Sequence, residues 1–419
     1  MRKVRVGVLG ARRGGSMIDY CKKADNAEVV AICDKEQYLL DIQKKNADGL
    51  DIAYYICFED FIKHDMDAVV LANYANEHAP FAIKCLNAGK HVFSEVLPVQ
   101  TMKEAVELIE AVEKSGLVYS YGENYCYMGA NREMKRLYEE GKIGEFEYGE
   151  GEYIHNCEPI WPEITYGQKD HWRNNMYSTF YCTHSLGPII HTTGLRPVSV
   201  VAFESTMNER NLRIGSKAGL FGVEIVTLEN GGIVKSIHGG LYFNSIWYAI
   251  YGSKGHMESA REISRNGHMN KIFVQADNYS GEYSKPPVEE YDPNTKSSLD
   301  TSKFGHSGSD FYPMYYFIEK IKGDEKADTI DVYQALDMFL PGLLGYRSVL
   351  NGSTPVAIPN LRDKHERDKW RNDTSCTDPK VAGEMLLPTS LIGTPDIPDS
   401  VYESVKQKWE IKKEELKNK

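Results

Sequence analysis

The chain has 419 residues, a formal net charge of -11, and 42% hydrophobic against 26% charged residues. That length gives two domains with cores of their own. The acidic balance, with no strongly basic tract to offset it, argues against a nucleic-acid partner, and no apolar run reaches the length of a membrane span.

The first apolar run, Val4-Arg5-Val6-Gly7-Val8-Leu9-Gly10, reads as a buried strand. It enters the turn Ala11-Arg12-Arg13-Gly14-Gly15 and then a helical pattern. A second run, Glu28-Val29-Val30-Ala31-Ile32-Cys33, ends on Asp34. Strand, glycine-bearing turn, helix, strand and carboxylate in this order form a dinucleotide-binding βαβ unit. Gly10 makes the tight turn and Gly15 takes the close-packing position. Arg12 stands where a glycine would let main chain approach a pyrophosphate, so its side chain points outward. Arg12 or Arg13 either curls over a phosphate or is solvated. Asp34 accepts hydrogen bonds from ribose hydroxyls and repels a 2′-phosphate, which favours NAD over NADP; Lys35 beside it moderates that preference.

The alternation continues with a strand at 67–72, a helix at 79–88 closed by Gly89, a strand at 90–93, a charged amphipathic helix at 101–115 and a strand at 117–120. Such repeats predict a doubly wound parallel sheet, a Rossmann domain over residues 1–124. After Gly144 the pattern changes to strands at 145–154, 198–203, a hairpin of 223–228 and 233–237, then 247–251 and 271–274. A mostly antiparallel open sheet is predicted, within an α+β domain over 125–360. Residues 277–308 read as a long polar loop. Helices at 310–321 and 331–350 return to the body. The latter carries Val332, Ala335, Leu336, Phe339, Leu340 and Leu343 at helical spacing. Residues 361–419 form a C-terminal extension whose last charged segment reads as a solvated helix face.

The eight cysteines show no CxxC pair, so neither a zinc knuckle nor a thioredoxin-like site is expected. Met1-Arg2-Lys3 runs straight into a strand without the apolar core of a signal peptide. A reduced, cytoplasmic protein is the expectation. His155, His184 and His306 each follow a strand or lie near glycine, beside tyrosine or a carboxylate, where imidazole is suited to proton exchange. Tyr153 and Tyr181 either orient hydroxyls or pack on the sheet. The histidine spacing matches no established zinc pattern, so no metal is expected.

Asn73-Tyr74-Ala75-Asn76-Glu77-His78 and Ala88-Gly89-Lys90-His91-Val92-Phe93-Ser94-Glu95-Val96-Leu97-Pro98 resemble the Gfo/Idh/MocA oxidoreductases, which use nicotinamide cofactors on sugars and polyols. The resemblance spans roughly residues 3 to 355. In most of that family a lysine follows the glutamate and helps deprotonate a substrate hydroxyl. Here Val96 stands there and can neither donate nor accept. A branch that shares this departure, the NAD-dependent glycoside hydrolases of α-N-acetylgalactosaminidase type, is similar at four further motifs. These are Gly122-Glu123-Asn124-Tyr125-Cys126-Tyr127, Gly149-Glu150-Gly151-Glu152-Tyr153-Ile154-His155, Tyr181-Cys182-Thr183-His184-Ser185-Leu186-Gly187-Pro188 and Gly305-His306-Ser307-Gly308-Ser309-Asp310-Phe311. The third departs at Cys182 and Ser185, where the branch has proline and glycine, and either change reshapes the sugar pocket.

The resemblance implies an NAD cofactor held by Gly10, Arg12, Arg13, Gly14, Gly15, Asp34, Asn73, His78 and Glu95. It implies substrate contacts from Glu123, Tyr127, Glu150 and Asp310, and catalysis by His184, Tyr181, His155, Tyr153 and His306. The implied reaction is oxidation at sugar C3, proton loss from C2, departure of the C1 group, addition of water and re-reduction, with no net redox change. A glycoside substrate and a homo-oligomer, dimer or tetramer, built on the open sheet are implied as well. The alternatives are an NAD-dependent sugar or inositol dehydrogenase, a 3-keto-glycoside lyase or hydratase, and a non-catalytic NAD-bound regulator.

Overall fold

Six short strands, all but one of them mostly buried, form a parallel sheet in the computed structural model, which describes residues 2–47, 49–261, 270–277, 286–293, 304–305 and 308–417. The strands are β1 (Val4–Leu9), β2 (Ala27–Cys33), β3 (Ala53–Tyr55), β4 (Ala68–Leu71), β5 (His91–Ser94) and β6 (Tyr119–Tyr121). Their order is β3-β2-β1-β4-β5-β6 with every pair parallel. The order reverses between β1 and β4, which leaves a crevice beyond their carboxyl ends. The strands read as continuous apolar runs because helices cover both faces of such a sheet.

These strands belong to the first of two compact units, Met1–Tyr127 with Leu299–Leu336 and Leu361–Asp373. Helices Gly15–Lys23, His78–Asn87 and Met102–Ser115 cross between strands. The last begins where the Thr101 hydroxyl accepts from Glu104 N at 3.1 Å and stops at Gly116. Helix Phe311–Ile321 adds Met314, Phe317 and Ile318 to the core that holds Val6, Val8 and Ile32.

A helix at Lys364–Trp370 lies against Met102–Ser115. Arg367 is 1% exposed and grips Glu113 with two nitrogens, at 2.8 and 2.6 Å, while its Nε donates to Leu361 O at 2.5 Å. Hydrogen bonds from Arg367 hold the Glu113 carboxyl down at about 2. Beside it Arg371 grips Glu110 at 2.9 and 2.8 Å.

The second unit comprises Met128–Ser298, Asp337–Asn360 and Thr374–Lys419. Its sheet holds β7 (Phe146–Ile154), β8 (Pro197–Glu204), β9 (Phe221–Leu228), β10 (Ile233–Gly239), β11 (Ser245–Gly252), β12 (Gly255–Ser259), β13 (Ile272–Ala276), β14 (Glu289–Tyr291) and β15 (Val356–Ala357). The order is β14-β13-β12-β11-β7-β10-β9-β8-β15; β7 and β10 run parallel and the other pairs antiparallel. The fold is thus a parallel Rossmann sheet followed by a mostly antiparallel open sheet, as the strand patterns predict. Strand β14 falls inside the stretch expected as one long loop, most of which lies outside the described residues.

The closing helix, Asp399–Lys417, is not solvated all round. Tyr402, Val405 and Trp409 are buried on one face, and the Trp409 ring meets Tyr166 at 4.9 Å. Lys and Glu occupy the remaining faces, so the charged composition hides a docking stripe.

Replacing Arg367 by alanine leaves Glu113 without its buried partner and opens the Leu361 carbonyl. Glu113 keeps solvent on its open side, with 34% of its side chain exposed, so the cost is that of the lost hydrogen bonds: we expect a loss of about 1–3 kcal/mol in unfolding free energy, read by urea denaturation. A change within about 0.5 kcal/mol contradicts this account of how 361–373 is held.

Candidate active site

In the first unit the site is built on the turn after β1. Gly10 has φ +97°, and a Cβ there would run into the Ala72 carbonyl. A Cβ at Gly14 would collide with Gly10 O and Val8, whereas one at Gly15 would meet nothing within 4 Å. Close packing therefore falls on Gly14, not on Gly15 as the sequence pattern suggests. No side chain caps the start of helix Gly15–Lys23, and the start of a helix is a site suited to an anion.

Asp34 is fixed from both sides. Its Oδ2 accepts from Ala11 N at 2.7 Å and its Oδ1 from Glu36 N at 2.9 Å. Burial raises its pKa, with those two amides working against the rise. Each oxygen keeps a second lone pair for a ribose hydroxyl. Lys35 sits 3.6 Å from the centroid of the Tyr74 ring, a cation–π contact.

Arg13 does not curl over the turn. It reaches Glu95 Oε1 at 2.7 Å and Asp310 Oδ2 at 3.1 Å, and Asn124 Nδ2 adds a bond to Asp310 Oδ1 at 2.7 Å. Glu95 is 4% and Asp310 3% exposed, so these carboxylates depend on their partners. Asp310, expected on the substrate, thus joins Arg13, Glu95 and Asn124 in a network beside the cofactor turn. Arg12 is partly exposed.

Asn73 donates to Glu77 Oε2 at 3.1 Å, and its Oδ1 is buried with no hydrogen-bond partner. His78 lies 2.9 Å from Leu97 O; burial lowers its pKa to about 4, so the ring is neutral and Nδ1–H donates. Glu123 is fully buried, with Oε1 accepting from Tyr125 N at 3.3 Å. Tyr127, also buried, donates to Asp328 O at 2.6 Å. The glycine cradle, the fixed Asp34 carboxylate and the orphaned Asn73 oxygen fit a bound dinucleotide.

In the second unit, helix Thr183–Thr193 lies across the inner face of the sheet. A Cβ at Gly149 would stand 3.3 Å from Ile189, and one at Gly151 would overlap Ser185 O. His184 occupies the first turn. Pro188 has no N–H to offer the His184 carbonyl four residues back, and Tyr248 on β11 donates to that carbonyl instead, at 2.5 Å. The His184 ring is 6% exposed and flanked by Tyr153, ring centroids 4.5 Å apart, and Tyr181, 5.6 Å apart. Tyr153 Oη lies 2.9 Å from His155 Nδ1, and the Arg173 guanidinium lies 5.6 Å from the Tyr181 ring. Four predicted residues, Tyr153, His155, Tyr181 and His184, therefore meet in one cluster.

Glu150 does not join them. It alternates with Gly149 and Gly151, so it projects from the opposite face, where it pairs with Lys235. His306 lies outside the described residues. Cys182 and Ser185, expected to reshape a pocket, face inward: both are fully buried, with Cys182 Sγ on Met338 O at 3.3 Å and Ser185 Oγ on Cys182 O at 3.0 Å. Among the described residues no group of three or more His, Cys, Asp or Glu is placed to hold a metal ion.

Two inward residues escaped the sequence reading. His238 on β10 is 1% exposed; burial, opposed by the backbone of Ser178 and Thr179, brings its pKa down to about 3. Glu224 on β9 is fully buried, and burial pushes its carboxyl up to about 8. The Ser236 hydroxyl approaches it and lies 2.8 Å from Ser185 Oγ. Ser185 donates to Cys182 O, so Ser236 donates to Ser185; both Glu224 oxygens are buried without a hydrogen-bond partner, and burial is what raises the carboxyl. Gly222, Glu224, Val226 and Leu228 share one side of β9, and period-two alternation was the available signal for both residues.

The two units together define an NAD-binding Rossmann protein with an open-sheet second domain. Residues 4–123 match the model of the Gfo/Idh/MocA oxidoreductase family, NAD-binding Rossmann fold, and residues 242–372 match the glycosyl hydrolase 109 C-terminal domain. The chain thus joins a Gfo/Idh/MocA N-terminal domain to a glycosyl hydrolase 109 C-terminal domain and is related to the alpha-N-acetylgalactosaminidase-type proteins. A glycosyl hydrolase family 109 protein of Solibacter usitatus is 27% identical over 404 residues, 88% of this chain and 89% of the relative. The alpha-N-acetylgalactosaminidase of Shewanella oneidensis is 24% identical over 400 residues, 86% of this chain and 85% of the relative. In fold, the chain is similar to an oxidoreductase of Agrobacterium radiobacter solved with NAD+, L-tartaric acid and magnesium. The TM-score is 0.68 at 14% identity, over 85% of this chain and 98% of that one. No helix among the described residues is long and apolar enough to cross a membrane.

Glu224 gives a pH-dependent prediction. Its carboxyl titrates near 4.5 when unfolded and near 8 when folded. Between those values the folded state holds a proton that the unfolded state has released, so stability falls as pH rises, by up to about 1.4 kcal/mol per unit. Glu224→Gln keeps the size of the side chain and removes the titration. Its stability relative to wild type should grow from pH 5 to pH 8 in urea melts; a difference that does not change with pH contradicts this.

Proposed function

We propose that the protein is an NAD-dependent glycoside hydrolase that cleaves its substrate through a closed redox cycle. The observation that carries this reading is the union of an NAD-binding domain whose usual lysine position is Val96 with one cluster of protonable groups, Tyr153, His155, Tyr181 and His184. The names of the relatives supply the sugar class, an N-acetylhexosaminide or similar glycoside.

NAD, when bound, supplies the acceptor and later the donor of a hydride at sugar C3. Asp34, with its carboxylate set by two amides, takes the adenosine ribose hydroxyls and disfavours a 2′-phosphate. The glycine turn and the open start of helix Gly15–Lys23 receive the pyrophosphate. Arg13, held by Glu95 and Asp310, fixes the turn rather than binding phosphate.

Val96 holds no proton, so proton exchange at the C3 hydroxyl and at C2 falls to the second unit. His184 carries one of these protons, and Tyr181 or the Tyr153–His155 pair carries the other. The C1 group leaves once C2 is deprotonated beside a ketone, and water then adds at C1. Two carboxylates astride the scissile bond, the usual arrangement of glycosidases, are not required. The face of the sheet opposite His184 exposes Phe203 (52%), Ile233 (42%) and Tyr251 (41%), which supports a homo-oligomer closed on that face.

A panel of 4-nitrophenyl glycosides, with and without added NAD, tests the reading. Nitrophenol should appear without a proportional rise of free NADH. His184→Ala should fold and keep its NAD affinity, yet lose on the order of 100-fold or more in turnover. Near-wild-type turnover of that variant at saturating substrate contradicts the role of His184. Stoichiometric NADH with intact glycoside makes the protein a dehydrogenase.

A further inference from the structure

Residues 240–244 connect β10 to β11, and β7 lies between those two strands in the sheet. The connection therefore spans the carboxyl end of β7, where Tyr153, Ile154 and His155 emerge. Hydrogen bonds fasten it there. His155 N donates to Gly239 O at 2.9 Å, Asn156 N to Asn244 Oδ1 at 2.9 Å, and Asn156 Nδ2 to Tyr242 O at 3.0 Å. Gly240 N donates to Leu220 O at 2.9 Å.

On this fastened loop stand two large aromatic side chains, Tyr242 and Phe243, 64% and 71% exposed. Their centroids are 5.0 Å apart with planes at 85°. The Arg210 guanidinium, 5.3 Å from the Tyr242 ring, braces it. Arg210 is itself held by Glu158 Oε2 at 3.2 Å and Asn156 Oδ1 at 3.0 Å. A single exposed apolar side chain is ordinary, but adjacent rings held outward by a hydrogen-bonded frame are a surface prepared for a ligand. Burial in the fold does not account for them.

The position decides the ligand. The same frame ends one residue from His155, whose imidazole meets the Tyr153 hydroxyl, and the Tyr153 ring packs on His184. In the glycosidase reading the reacting carbons lie at His184, and the loop that carries the two rings is fastened to Asn156, the residue after His155. The C–H face of a pyranose is apolar and stacks on aromatic rings, while its hydroxyls at the rim suit the polar frame.

We propose that Tyr242 and Phe243 form a stacking platform for the ring of the leaving group, so that the enzyme selects glycosides whose C1 substituent is itself a sugar. This rests on the glycosidase reading above and adds the chemistry of its leaving-group side. Both residues act in binding; neither touches the reacting carbons.

The test uses the full chain with NAD present and compares wild type with the Tyr242→Ser, Phe243→Ser double variant. The probes are a 4-nitrophenyl glycoside, its ring standing for the leaving sugar, and the methyl glycoside of the same sugar. That sugar is the one cleaved best in the panel, or N-acetyl-α-galactosamine if none is cleaved. Calorimetry gives both affinities, and light scattering gives the assembly state. Wild type should bind the aryl probe at least tenfold tighter than the methyl probe, and the double variant should lose that preference.

Wild type that binds the probes equally, or binds neither, overturns the proposal. So does a variant that keeps the preference or loses both affinities in equal proportion. An oligomeric wild type with a monomeric variant overturns it too, since a second copy then covers the rings. Discriminating binding with no cleavage of any glycoside supports the platform and defeats the hydrolase reading alone.

Discussion

The close seating of helix Thr183–Thr193 on β7 is the constraint on which the second unit depends. Gly151 has no side chain because the Ser185 carbonyl fills that space. With the helix backbone this near, His184 stands over Tyr153, and Tyr248 comes within reach of the carbonyl that Pro188 cannot serve. The proline therefore does two things at once. It removes one helix bond and opens an acceptor that ties the first turn to β11. The result is a histidine whose backbone is fixed from the sheet while its ring is set between two tyrosines.

The same seating explains the polar groups beneath the helix. Ser185 and Ser236 are hydrogen-bonded to each other, and Glu224 is fully buried beside them. Burial disfavours a charge there and keeps the proton on Glu224. In the first unit the order is reversed: charge is used, and it is paired. Arg13 joins Glu95 and Asp310, contributions from positions far apart in the chain, so that the turn carrying Gly10 and Gly14 is braced from outside while Asp34 braces it from within.

The Rossmann strands were legible because each is a continuous apolar run bounded by glycine or a helix cap. Strand β3 was not: Ala53-Tyr54-Tyr55 is only half-buried at the sheet edge, and three residues carry no periodicity. The edge strands β14 and β15, three and two residues long, escaped for the same reason, and β12 escaped although it lies inside its sheet. The glycine turn with Asp34, and the grouping of Tyr153, His155 and Tyr181 with His184, were foreshadowed by residue type and position. Glu150 was misplaced because its face follows from alternation with Gly149 and Gly151, and a glycine has no side chain to announce which face is buried. Glu224 and His238 were missed because charged residues are presumed outward, although Val226 and Val234 share their sides of the strands. The closing helix was read from its lysines and glutamates, while Tyr402, Val405 and Trp409 carried the information.

The central claim is that the glycosidic bond breaks after the C2 carbon–hydrogen bond does. Cleavage in D2O followed by proton magnetic resonance of the released sugar tests it most directly. The account predicts deuterium from solvent at C2 of the product. A product that keeps its original hydrogen at C2, at full turnover, contradicts it.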